Sequence, residues 1–201
     1  MVSIIDYDAG NIKSVEKALQ YLGEEAVVTR DKDVILSSDK VILPGVGSFG
    51  DAMNKIRTYG LDKVIYDVTD REIPFLGICL GLQLMFESSE ESPGVRGLGL
   101  LPGRILRIPE TESLKIPHMG WNSLDVKENA ALFRGLGDHP YVYFVHSYYL
   151  EAGDDNDVAA TATYGTCIHA SVEHGNIFAC QFHPEKSSEA GLTILNNFIK
   201  L

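Results

Sequence analysis

The residues of this 201-residue chain best suited to covalent chemistry stand in Gly77-Ile78-Cys79-Leu80-Gly81 and, far along the chain, in His183-Pro184-Glu185. A cysteine with glycine two places before and two places after it has the spacing of a nucleophile elbow, a tight strand-to-helix turn that holds its central residue in a strained conformation. Such a turn exposes the thiol at the carboxyl end of a strand, places it on a helix N-terminus and aims the Leu80 backbone N–H at a developing oxyanion. A helix dipole contributes at most about 2 kcal/mol, so a thiol of free pKa about 8.5 stays largely protonated at neutral pH without further help. The elbow therefore demands a histidine from elsewhere. His183 fits: residues two apart on an extended segment point the same way and Pro184 fixes the backbone between them, so the Glu185 carboxylate faces the imidazole. In such a set the thiolate attacks, the imidazolium protonates the leaving group and the carboxylate selects the tautomer.

Each motif also has a plainer reading. Cys79 alone reads as a buried, inert thiol at a strand end, and His183-Pro184-Glu185 alone as a surface turn. His183 and Glu185 lack the H-x-H or H-E-x-x-H company of metal ligands, and His118, His139, His146, His169 and His174 are scattered, so no metal site is expected. Cys180 shares a strand face with Phe178 and Phe182 and reads as core. Pro44-Gly45-Val46-Gly47 lacks the Lys-Ser/Thr of a phosphate-binding loop. Its glycines permit either a tight turn or a second oxyanion donor, the N–H of Val46 or Gly47.

The elements that must position these residues follow from hydrophobic periodicity. Val2–Ile5, Ala26–Thr29 and Val41–Leu43 read as strands. A helix capped by Asn11 carries Ile12, Val15, Leu19 and Leu22 and ends at Gly23. A weak amphipathic piece covers Val34–Leu36, and helical pattern returns through Ala52, Met53 and Ile56 and through Leu61, Val64, Ile65 and Val68. Ile73–Cys79 is a wholly apolar strand, followed by a helix running to Phe86. This alternation predicts an α/β fold of three layers, a mostly parallel open sheet with helices on both faces. After the acidic run Glu87–Ser92, read as a solvated loop, the texture changes. Short strand-like runs at Ile105–Ile108, Trp121–Val126, Tyr141–Leu150, Val158–Tyr164, Cys167–Val172 and Ile177–Phe182 are separated by turn signals such as Gly153-Asp154 and His174-Gly175-Asn176, so antiparallel hairpins are expected in this half. A last helix, Ser188–Ile199, has Ser187 or Ser188 as its cap.

Composition narrows the function. With 201 residues and 45% apolar content, one domain over 1–201 is expected. The formal net charge of −11 argues against nucleic acid or an anionic membrane as a general partner. Three widely spaced cysteines without a C-x-x-C pair, and no basic or long apolar leader, fit a reducing cytoplasm.

Pro44-Gly45-Val46-Gly47, Gly77-Ile78-Cys79-Leu80-Gly81-Leu82-Gln83 and His183-Pro184-Glu185, in that order and nearly end to end, resemble the class I (triad) glutamine amidotransferases. Within that family, Pro117-His118-Met119-Gly120-Trp121-Asn122, Tyr143-Phe144-Val145-His146-Ser147-Tyr148 and His183-Pro184-Glu185-Lys186-Ser187-Ser188 are similar to the glutaminase subunits of imidazole glycerol phosphate synthase. The Asp6–Asn11 segment departs from the pattern at Asp8 and Ala9, where relatives often carry glycine or proline. The resemblance implies a flavodoxin-like glutaminase fold that needs no cofactor. It implies hydrolysis of glutamine to glutamate and ammonia, and delivery of the ammonia to a (β/α)8-barrel synthase (cyclase) subunit in a heterodimer of histidine biosynthesis. It makes Cys79 the nucleophile, His183 the base and acid, and Glu185 the orienting carboxylate. Val46, Gly47 and Leu80 would form the oxyanion hole, with the Val46 loop turned away until the partner's substrate binds. Gly45, Gln83, His146, Ser147 and Tyr148 would hold glutamine, and Asn11, Met119 and Trp121 would face the partner. Two alternatives remain within the fold, the glutaminase of another class I amidotransferase and a catalytically silent glutamine-binding scaffold; a third is a thiol hydrolase or peptidase on the same kind of sheet.

Overall fold

The computed structural model describes residues 1–112, 114–137 and 139–201. In chain order they form β1 (Val2–Ile5), α1 (Ile12–Tyr21), β2 (Ala26–Thr29), α2 (Lys32–Leu36), β3 (Lys40–Gly45), α3 (Phe49–Thr58), α4 (Leu61–Asp70), β4 (Phe75–Cys79), α5 (Leu80–Leu84) and β5 (Ser88–Ser89). The second half adds β6 (Gly103–Arg107), β7 (His118–Ser123), β8 (Asp125–Val126), β9 (Tyr141–His146), β10 (Tyr148–Ala152), β11 (Val158–Thr163), β12 (Cys167–His174), β13 (Ile177–Cys180) and α6 (Ser188–Ile199).

The main sheet has the order β2-β1-β3-β4-β13-β12-β11-β8. It is parallel from β2 to β13 and antiparallel from β13 to β8, so the expected antiparallel additions join the same sheet. The central strands are buried on both faces, as their near-continuous apolar runs require. Ile4, Ile42, Leu76 and Ile78 pack with α1 and α6 on one side, while Ile5, Val41, Leu43 and Phe75 pack with α3 and α4 on the other. This is the expected three-layer α/β arrangement.

Several boundaries depart from the sequence reading. The helix after Cys79 stops at Leu84, because the Met85 and Phe86 N–H groups turn back to Leu82 and Gln83 and the chain bends toward β5. The Glu87–Ser92 run is not a free solvated loop: Ser89 is buried, and Glu91 accepts the Phe49 N–H at the start of α3 at 2.7 Å. Gly153-Asp154 does not close a hairpin, since β10 pairs with β6 instead of β11. The His174–Ile177 turn does form one, between β12 and β13. Two expected caps are absent. Asn11 and Ser187 precede their helices but make no side-chain cap bond, and both side chains are spent near the site described below.

Register at the carboxyl edge of the sheet decides what meets. Gly45 at the end of β3 pairs with Cys79 at the end of β4, and Ile78 pairs with Cys180 on β13, which brings Gln181 and then His183 beside Cys79. Three neighbouring parallel strands thus deliver a glycine loop, a thiol and an imidazole to one edge, where α/β sheets bind their ligands. The close approach of α5 to β3 depends on Gly81, where a Cβ would fall 1.8 Å from the Leu43 carbonyl oxygen. Both sides of that contact are backbone. Gly81→Ala is therefore expected to cost at least about 3 kcal/mol in urea denaturation, at or above the upper end of an ordinary overpacking substitution in a core.

Candidate active site

Cys79 has φ 55° and ψ −106°, a conformation that a non-glycine residue adopts only under constraint. The constraint is visible around it. A Cβ at Gly77 would meet Met85 Cε at 2.7 Å and the Gly81 carbonyl at 2.8 Å, so the strand and helix flanking Cys79 pass closer than any other residue would allow. The two glycines of the motif serve this packing, since neither has a positive φ.

His183 follows β13 and is 1% exposed. Its Nδ1 lies 2.8 Å from Glu185 Oε1, and the Glu185 side chain is fully buried. Asn11 Nδ2 donates to the same oxygen at 2.6 Å, which is where the amide expected to cap α1 goes. With Nδ1–H committed to the carboxylate, Nε2 is left to face the thiol and makes no hydrogen bond of its own. Burial opposes the imidazolium, but the neighbouring Cys79 and Glu185 outweigh it and raise His183 to about 9. The turn that carries Glu185 is clamped from two directions. Ser187 Oγ donates to the His183 carbonyl and accepts the Tyr143 N–H, and α6 packs so tightly that a Cβ at Gly191 would fall 1.9 Å from the Pro184 carbonyl oxygen.

A cavity of about 320 Å³ opens beside this set. Val46, Gly47, Cys79, Leu80, Gln83, His146, Ser147, Tyr148 and His183 all line it, so nine residues singled out from the sequence meet in one place. The other five do not line it. Glu185 stands behind His183, Asn11 behind Glu185, and Gly45 is packed beneath the loop; Met119 and Trp121 lie outside, 62% and 53% exposed. The strand expected over Tyr141–Leu150 breaks at Ser147, with β9 pairing β7 and β10 pairing β6, and this break presents His146, Ser147 and Tyr148 to the cavity. Gly47 has φ +109°, while Gly45 is required by close contact, its Cβ position lying 3.0 Å from Leu80 Cβ.

Two residues passed over in the sequence belong here. Gln181 is fully buried and its Nε2 lies 3.7 Å from Cys79 Sγ, while its Oε1 accepts from Gln83 Nε2. A polar residue directly after the apolar run of β13 was the available signal. Glu91 also lines the cavity, and nothing in an acidic run distinguishes one such glutamate from the next. Cys180, expected in the core, is wholly buried there, and burial with Glu185 and Cys79 nearby pushes its thiol up.

Behind the cavity wall runs a chain of neutral donors and acceptors. His146 Nδ1 donates to the Tyr148 carbonyl at 2.9 Å, leaving Nε2 to accept from His118 Nδ1 at 2.9 Å, and His118 Nε2 faces Asn122 Nδ2 at 3.4 Å. Gln83 Nε2 donates to the same Tyr148 carbonyl. His118 stacks on Phe144 and Tyr164, with ring centroids 4.7 and 3.9 Å away. Burial lowers His118 to about 4 and His146 to about 3, so both are neutral in the folded chain above those values. An unfolded histidine takes its proton near pH 6.5, so this contribution is complete above pH 6.5 and is lost as pH falls through 4 toward 3. His118→Phe keeps the stacking but leaves His146 Nε2 without its donor. It is expected to cost about 1–3 kcal/mol at neutral pH and to make the acid loss of stability shallower, both read from denaturation curves across pH.

Comparison with known proteins gives the same answer along the whole chain. Residues 3–201 match the family model described as glutamine amidotransferase class-I. The imidazole glycerol phosphate synthase subunit HisH of Bacillus cereus (strain G9842) is 52% identical over 98% of this chain and 93% of its own length. The HisH subunit of Methanocaldococcus jannaschii is 44% identical over 100% of both chains. Among solved structures, a glutamine amidotransferase crystal structure aligns with TM-score 0.77 and 21% identity, covering 99% of this chain and 97% of that one. PurLQS from Thermotoga maritima aligns with TM-score 0.74 and 22% identity, covering 99% and 97%. These two show the shared fold, and the family match with the two HisH relatives places this chain in the class I glutamine amidotransferase family, among the HisH subunits of imidazole glycerol phosphate synthase.

Proposed function

We propose that residues 1–201 act as one amidotransferase domain in which Cys79, His183 and Glu185 hydrolyse glutamine. The observation that carries this reading is a strained, cavity-lining cysteine beside an imidazole whose other nitrogen is held by a buried carboxylate. Cys79 Sγ attacks the side-chain amide carbon of glutamine. The Leu80 N–H and, once its peptide has turned, the Val46 N–H receive the oxyanion. His183 Nε2 protonates the departing nitrogen, ammonia leaves, and a cysteinyl thioester remains. His183 then takes a proton from water, which attacks the thioester and releases glutamate. Gln83, Ser147 and Tyr148 hold the substrate, and Gln181 steadies the sulfur. The cavity lies at the small end of ligand pockets, which suits one amino acid and speaks against a peptidase cleft.

The ammonia goes to a synthase subunit, the partner implied by the HisH relatives' name. We propose that this partner is the (β/α)8-barrel cyclase and that it docks on the outer face of the β7–β9 ribbon. Trp121 pairs with Tyr143 across this ribbon, and Met119, Trp121 and Tyr141 are all more than half exposed. Exposed aromatic and methionine side chains gathered on one face are the composition of an interface core. The three cysteines are free thiols, and among the described residues no helix is long and apolar enough to cross a membrane; both fit the proposed cytoplasmic setting.

Two outcomes test the reading. Cys79→Ser is expected to abolish glutamine-dependent synthesis in the complex while leaving synthesis from ammonium salts intact, since a hydroxyl ionises far less readily than a thiol; equal loss of both would sink the assignment. Ammonia made without a waiting acceptor is protonated and wasted, so hydrolysis should be gated through the Val46 peptide. A missing oxyanion donor costs about 10² to 10³ in rate, and the synthase subunit with its ribonucleotide substrate is expected to raise the glutaminase rate at least about a hundredfold. A free chain as fast as the liganded complex would refute the gate.

A further inference from the structure

Among the described residues, three buried side-chain polar atoms make no hydrogen bond: His183 Nε2, Glu185 Oε2 and the Tyr7 hydroxyl. The first two belong to the proposed triad. The third has no part in it, and a buried hydroxyl without a partner is a standing cost to the fold that a phenylalanine would avoid. Tyr7 follows β1 and is 1% exposed, its ring packed in the core that faces α3 and α4. Burial, and then the nearby Cys79, push its hydroxyl pKa up, so at any working pH it is a proton donor.

The position of that donor is specific. A Cβ built on Gly45 would fall 2.3 Å from the Tyr7 oxygen, so the hydroxyl rests against the Gly45 backbone, which is paired in turn with Cys79. The peptide joining Gly45 to Val46 is the one whose N–H must turn to complete the oxyanion hole. A peptide turns as a rigid plane, so when the Val46 N–H swings toward the substrate, the Gly45 carbonyl oxygen swings the opposite way. That oxygen then needs a new hydrogen-bond donor, and the Tyr7 hydroxyl is an unpartnered donor set against the Gly45 backbone.

We propose that the Tyr7 hydroxyl receives the Gly45 carbonyl in the turned state and so acts as a positioning residue for the oxyanion hole. The inference rests on the reading of Val46 as an oxyanion donor. It explains why the chain keeps an unsatisfied hydroxyl in its core: the hydrogen bond missing from the resting conformation is made in the reactive one. A residue that stabilises only the turned state changes turnover and leaves glutamine binding alone.

The test is Tyr7→Phe, assembled with the synthase subunit of imidazole glycerol phosphate synthase and that subunit's ribonucleotide substrate. Loss of one net hydrogen bond in the reactive state is expected to lower the stimulated glutaminase kcat about tenfold with KM for glutamine unchanged. The free variant is expected to melt about 2–4 °C higher, because an orphaned hydroxyl has been removed. Slower turnover combined with a higher Tm is what a purely structural tyrosine would not produce. An unchanged kcat would overturn the inference alone, as would a fall in kcat accompanied by a raised KM and a lower Tm. An unsubstituted complex with no glutaminase activity would overturn both the inference and the reading beneath it, and Cys79→Ser in the same assay tells the two cases apart.

Discussion

Everything at the carboxyl edge of this sheet depends on holding Cys79 in a backbone conformation it would not choose. A non-glycine residue at φ 55° costs on the order of 1–3 kcal/mol, and the cost persists only where the surroundings fix it. Here two contacts are backbone against backbone, Gly81 on the Leu43 carbonyl and Gly77 on the Gly81 carbonyl, and a third sets the Gly45 backbone over the Tyr7 hydroxyl. Helix α5 cannot slide and strand β3 cannot retreat, because Leu80, Leu82 and Leu84 anchor the helix in one core and β3 is anchored in both, by Ile42 on one side and by Val41 and Leu43 on the other. The strain at the thiol is thus stored by the packing of the whole parallel half of the sheet.

Electrostatics then divides the labour. Helix α5 has only five residues, so its dipole falls short of the roughly 2 kcal/mol that a favourable helix terminus offers. The shift of His183 from 6.5 to about 9 corresponds to something on the order of 3 kcal/mol in favour of the imidazolium, despite its burial. His183, favoured as imidazolium by the groups beside it, therefore offers more electrostatic support at this edge than the short helix does. Burying the Glu185 carboxylate is tolerable because one oxygen accepts two N–H donors, from His183 and Asn11. The second oxygen, left without a partner, is the price of keeping the pair dry.

The β7–β9 ribbon links the cavity to the outer surface by simple alternation. Even-numbered His118, Phe144 and His146 face inward, where His146 holds the Tyr148 carbonyl and His118 holds His146, and odd-numbered Met119, Trp121 and Tyr141 face outward. A ligand bound to the outer face touches residues one position away from those that shape the cavity wall. The hydrogen-bond chain behind that wall contains no charged member, so it sets geometry without adding a titrating group near neutral pH.

Most of the elements, and the two motifs that meet at the cavity, are legible in local sequence patterns. Apolar runs and helical periodicity are local properties, and so are the glycine spacing around Cys79 and the two-residue step from His183 to Glu185; each could be read because its physical cause lies within a few neighbouring residues. The expectation of a parallel sheet followed by antiparallel strands rested on the same local patterns and matches the observed order. Tertiary structure decided what depends on contacts between distant segments. Asn11 was legible as a helix cap, but a buried carboxylate 174 residues away takes its amide, and a charged acceptor makes the stronger bond. Glu91 looked like any member of a solvated acidic run until α3 began above it. Gln181 reaches Cys79 only because β13 lies against β4 in one register, and a slip of one residue would turn it to the other face. Tyr7 reads in the sequence as an aromatic residue after a strand; that its hydroxyl is buried and unpartnered beneath Gly45 is a fact of packing alone.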